Sequence, residues 1–127
     1  MAIRVDWYNE DHSILIYYVE GAWGARDLYD MLTQINAMTE ETSGIVDVIG
    51  VYTNAAIPAG ELFKADETPT QKHVRTGLFV MVGMNRFIQQ PVMDTFRKLY
   101  PQGYRESASA TSVEGAKGLI ARRQKDR

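Results

Sequence analysis

Thr76-Gly77-Leu78-Phe79-Val80-Met81-Val82-Gly83-Met84 is a nearly uninterrupted apolar run, followed by the polar pair Asn85-Arg86 and then a helical pattern. A strand with one solvated face alternates apolar and polar residues, whereas a strand covered on both faces need not. The run therefore predicts the centre of a sheet with helices above and below it. It constrains the fold class and leaves the chemistry open.

The rest of the chain supplies partners for that strand. Ile3, Val5 and Trp7 alternate with Arg4, Asp6 and Tyr8. The polar Asn9-Glu10-Asp11-His12 follows, and Ile14 to Val19 is apolar again. Two such runs around a short polar loop predict an antiparallel hairpin with the first strand at a sheet edge. Gly21-Ala22-Trp23-Gly24 is expected to break the second strand. Leu28, Met31, Leu32, Ile35 and Met38 recur at helical spacing up to Thr42-Ser43-Gly44, and Ile45 to Tyr52 is a second buried-strand pattern.

Between Pro58 and Val74, Pro69 would cost about 3 kcal/mol inside a regular helix, so two short helices or one broken helix are expected. Phe87, Ile88, Val92, Phe96 and Leu99 form a further helical stripe, ended by Pro101-Gln102-Gly103. Tyr104 to Ala108 is a short candidate strand. Thr111-Ser112-Val113-Glu114 has the spacing of a capping box, and Val113, Ala116 and Ile120 give the last helix an inward face. The basic end, residues 122–127, is expected to fray.

These elements predict one α/β domain over residues 1–127. Its sheet is mixed and mainly parallel, with an N-terminal antiparallel hairpin and about four helices. The length suits a single core. Net charge is only −2 and the 14 basic residues do not gather on one stripe, which argues against a general nucleic-acid binder. With no cysteine there is no disulfide framework, thiol nucleophile or thiolate metal site. No signal pattern or membrane-length apolar run is present, so a cytoplasmic location is the expectation.

Three stretches together resemble the STAS domain, in particular the stand-alone bacterial anti-sigma-factor-antagonist-like branch. They are Ile14 to Gly21 running into the first helix, Arg75 to Leu99 with its strand end Val82-Gly83 and Asn85-Arg86-Phe87, and Glu106 to Leu119 with Ser112-Val113-Glu114-Gly115-Ala116. The resemblance implies a phospho-switched binding module, modified at a Ser or Thr where a strand meets the second helix, typically in an Asp-Ser-Ser-Gly setting. The matching stretch here is Val51-Tyr52-Thr53-Asn54-Ala55-Ala56-Ile57-Pro58. It has no serine and no Asp before the hydroxyl. Apart from Tyr52, only Thr53 offers a hydroxyl for phosphorylation there.

Ligands of open parallel sheets collect beyond the carboxyl ends of the strands, where strand order reverses. That edge is expected to carry Thr53, Asn54, Asn85 and Arg86, with Arg86 as the charge for a small anionic or polar ligand. The plainer reading makes the two asparagines caps or turn residues and Arg86 a solvated charge, and it is preferred. His12 and His73 have no metal-friendly partners, and the pairs Glu40-Glu41 and Asp66-Glu67 suit a solvated surface. No nucleophile elbow, phosphate-binding glycine pattern or receiver-type acidic set is present.

The expectation is therefore a non-enzymatic interaction or regulatory module that requires no cofactor or metal. Its partner is another protein or a second copy of itself, through the edge strand and the aromatics Trp7, Tyr8, Tyr17, Tyr18, Trp23 and Tyr29. Some of these are expected in the core, and one Tyr of Tyr17-Tyr18 at the surface. The alternative is a small-ligand or lipid-binding domain using the strand-end crevice, or a gap beneath the interrupted Pro58–Val74 segment.

Overall fold

The computed structural model describes residues 3–22, 25–56, 76–83 and 106–126. These residues form β1 (Ile3–Trp7), β2 (Ile14–Ala22), α1 (Ala25–Glu40), β3 (Val46–Ala56), β4 (Thr76–Val82), β5 (Glu106–Ala110) and α2 (Val113–Asp126). The strands make one sheet in the order β1-β2-β3-β4-β5, with β1 antiparallel to β2 and every later pair parallel. The α/β class, the hairpin and the edge position of β1 match expectation. About four helices do not: the described residues contain two, and the expected segments Pro58–Val74 and Phe87–Leu99 lie outside them.

Side-chain alternation divides the sheet into two apolar layers. On one face Ile14, Ile16, Ile49, Leu78, Val80 and Val82 pack with Ala116 and Ile120 of α2. The opposite face carries Leu15, Tyr17, Val19, Val48, Phe79 and Met81, all buried, and β1 adds Ile3 and Val5 through their pairing with Val19 and Tyr17. Ile3 and Met31 of α1 line one cleft there. A right-handed connection from β2 to the parallel β3 carries its helix over one face of the sheet. The crossover helix α1 takes that face, whereas α2 follows the last strand and is free to cover the other. The apolar run over β4 thus reflects burial on both faces, as expected. It is an inner strand rather than the central one, which is β3.

Local boundaries depart from the sequence pattern at several places, among them β5, which runs to Ala110 where the pattern ended at Ala108. β2 continues through Gly21, whose φ of 73° accommodates a register shift between Glu20 and Ala22, so the glycine bends the strand without ending it. β3 starts at Val46, leaving Ile45 exposed, and runs on to Ala56. The cap of α2 is Ser112, one residue beyond the expected Thr111. The Ser112 hydroxyl accepts the Gly115 N–H at 3.0 Å, and its carbonyl accepts the Ala116 N–H. The basic end does not fray at residue 122. Helix α2 reaches Asp126, and Gln124 near its end donates to the Asp47 carboxylate at 3.0 Å.

Candidate functional site

At the carboxyl ends of the strands, the expected site is reshaped by topology. Strand order never reverses across the five strands, so the switch-point crevice has no counterpart among the described residues. Thr53 lies within β3, three residues before its end, exposed and directly opposite Glu20 of β2. It is therefore not at a strand-to-helix junction. A phosphate on Thr53 would add negative charge beside a carboxylate on the same face of the sheet. Asn54 also belongs to β3. Asn85 and Arg86 lie outside the described residues. The last pairing of β3 with β4 is Val51 with Val82, after which Gly83 turns the chain away with a φ of 81°. A Cβ on Gly83 would come within 2.5 Å of the Tyr52 carbonyl, so the turn needs glycine for both conformation and space.

Beneath α1 the sheet carries a buried aromatic group. The Tyr17 ring lies over Gly50, its cross-strand partner, and its hydroxyl hydrogen-bonds the Tyr52 hydroxyl. The rings of Tyr17 and Tyr52 meet edge to face, and Phe79 packs against Tyr17 from β4. Burial pushes the Tyr52 phenol well above its ordinary value, against the opposing pull of the Tyr17 hydrogen bond. These hydroxyls are structural: both rings are buried within the layer.

Beside this layer, a small open cleft between β1 and α1 is lined by Ile3, Asp27, Asp30, Met31 and Gln34. On the opposite flank of α1, by the roughly 100° advance per residue, Thr33 Oγ1 and Asn36 Oδ1 are buried without a hydrogen-bond partner among the described residues. No group of three or more His, Asp or Glu residues comes together among the described residues in a way that could hold a metal ion.

The hairpin places aromatic rings on both sides of the edge strand. Its turn is curled by Asn9, whose side-chain oxygen accepts the N–H groups of Ser13 and Ile14 at 3.1 Å each. Asp11 accepts the Ser13 hydroxyl at 2.9 Å. This forces His12 into the left-handed region, at φ 56°, and lays its imidazole flat on the Trp7 indole, with centroids 4.3 Å apart. On the α2 face, the Arg4 guanidinium sits 4.5 Å over the Tyr18 ring and bridges to Asp6 at 3.2 Å. Trp7, Tyr8 and Tyr18 are each partly exposed.

The sequence marks the hairpin and its aromatics but gives no sign that His12 belongs with Trp7. Their contact depends on the turn's side-chain hydrogen bonds, which no residue pattern specifies.

No protein-family model, curated protein or solved structure matches the chain. Fold and surface geometry therefore carry the functional argument.

Proposed function

We propose that this chain is a STAS-like protein-interaction module that works through its N-terminal hairpin, performs no covalent chemistry and has no phosphorylatable serine motif. The supporting observation is the pairing of an edge strand with partly exposed aromatics on both its faces: Trp7 stacked on His12 on one side, and Tyr18 beneath Arg4 on the other. Tyr, Trp and Arg are the residues that most often anchor protein interfaces, because they bury large areas while keeping a polar handle. The stack and the cation–π contact hold these side chains in place before a partner arrives, which lowers the entropy lost on binding.

Among the described residues no helix is long and apolar enough to cross a membrane. The partner is sought first among proteins, a second copy included.

The test compares the full chain with a Trp7→Ala/Tyr18→Ala variant that still unfolds cooperatively. Each is immobilised and its retained proteins are quantified by mass spectrometry, while sedimentation reads self-association. A saturable partner, or self-association, weakened at least about tenfold in the variant is the expected result. The proposal fails if both chains retain the same proteins equally and neither self-associates.

A further inference from the structure

The two edges of the sheet are not equivalent. β5 presents Glu106-Ser107-Ala108-Ser109-Ala110, while β1 presents Ile3-Arg4-Val5-Asp6-Trp7. The second sequence has a charge complementarity that the first lacks: reversed about Val5, it sets Arg4 against Asp6 and Ile3 against Trp7.

Backbone parity decides whether that complementarity can be used. The Tyr8 N–H donates to the Ile14 carbonyl at 2.8 Å, in register with the pairing of Trp7 and Leu15. The N–H and C=O groups of Arg4, Asp6 and Tyr8 therefore point toward β2, and those of Ile3, Val5 and Trp7 point away. Among the described residues β1 pairs with β2 alone, so this outer set has no strand partner there.

We propose that β1 joins a second copy of this chain by antiparallel pairing about a two-fold axis at Val5, fusing two five-stranded sheets into one of ten. The proposal rests on the hairpin being an interaction surface, and it specifies the occupant. In this register Val5 faces the partner's Val5, and Ile3 faces the partner's Trp7. These are the odd-numbered residues whose backbone groups point outward, so they form the hydrogen-bonded pairs.

Arg4 then faces the partner's Asp6 at a non-hydrogen-bonded pair, the position where opposing side chains come closest. Both are exposed, at 69% and 57% of the side chain. Sliding by one step of the same parity in either direction would set Arg4 against the partner's Arg4, or Asp6 against the partner's Asp6. Like charges directly opposite are unfavourable, so the charges select one register of the three. An isologous contact of this kind closes as a dimer and consumes both β1 edges.

A charge-exchange experiment on the full chain tests this. Sedimentation equilibrium of the wild type should give a dimer. Arg4→Asp alone and Asp6→Arg alone should each weaken self-association at least about tenfold, since each sets two like-charge pairs across the axis. Mixed in equal amounts, the two variants should associate again, because every acidic side chain at positions 4 and 6 of one then faces a basic one of the other. This rescue also shows that both variants are folded.

A wild type that stays monomeric at about 1 mM overturns the proposal. So does a dimer that ignores both reversals, which would place the contact elsewhere, β5 included, and so does a mixture that fails to associate. A monomer that still binds another protein through Trp7 and Tyr18 would remove the dimer and leave the interaction module standing.

Discussion

Gly50 is the residue at which the α1-side layer is least tolerant of change. A Cβ there would run into the ring and hydroxyl of Tyr17, and that ring is already held by Tyr52 and Phe79. Gly50→Ala is expected to destabilise the protein by about 1–3 kcal/mol in denaturant unfolding. Replacing Tyr17 by Leu in the same chain should recover part of that loss; strict additivity of the two changes would show that the ring does not occupy this space.

The pattern Ile45 to Tyr52 marks a buried strand, but the need for glycine arises from its register with Tyr17, a long-range pairing that no local spacing reveals. Tyr52 leads to a pH prediction. Its phenol is raised above the ordinary value of about 10, chiefly by burial, so the folded chain favours the neutral form. The associated stability is complete below that ordinary value and is lost as pH rises past it toward the higher folded-state value. The denaturant midpoint should therefore fall above pH about 10, and Tyr52→Phe should flatten part of the fall. Identical slopes for the two chains would mean that Tyr52 ionises alike in the folded and unfolded states.

Among the elements, those with strong periodicity were legible and their ends were not. The strands, the hairpin, α1 and α2 follow from alternation and helical stripes. By contrast, Gly21 reads as a strand end and acts as a bend, because only a paired neighbour strand can stabilise the continuation to Ala22. The start of α2 is a similar case, with two adjacent hydroxyl residues competing for one cap. Ser112 wins, with its hydroxyl on the Gly115 N–H. Ser112→Ala should cost about 1 kcal/mol and Thr111→Ala close to nothing, measured as shifts in the denaturant midpoint. Reversed magnitudes would restore the capping box centred on Thr111. The candidate site was legible only in part. Thr53 and Asn54 do lie toward the carboxyl end of β3, but the crevice they were expected to line requires a reversal of strand order, and strand order is set by pairing between distant segments.

For the whole molecule, the amino-terminal ends of the parallel strands are tied together at Asp47. In the sequence it is the one charged residue inside a buried-strand pattern. In the fold it is fully buried, at a point where β4 advances three residues while β3 advances two, from the pair Val46–Thr76 to the pair Val48–Phe79. That irregularity turns the Leu78 N–H toward the Asp47 carboxylate at 2.8 Å. The other carboxylate oxygen accepts Gln124 of α2, and the Asp47 N–H donates to the Ser13 carbonyl at the hairpin. One residue thus links the hairpin, two inner strands and the C-terminal helix. Removing its carboxylate would leave the buried Leu78 N–H without its acceptor, at about 1–3 kcal/mol, while the exposed Gln124 amide would turn to water. Asp47→Ala should therefore lower stability by roughly 1–3 kcal/mol and reduce hydrogen-exchange protection across β3, β4 and α2 together. Gln124→Ala should act more locally, releasing the last turn of α2 while the amides of β3 and β4 keep their protection. If residues 121–126 exchange at the same rate in Gln124→Ala as in the wild type, the bond to Asp47 is not what keeps the basic end helical.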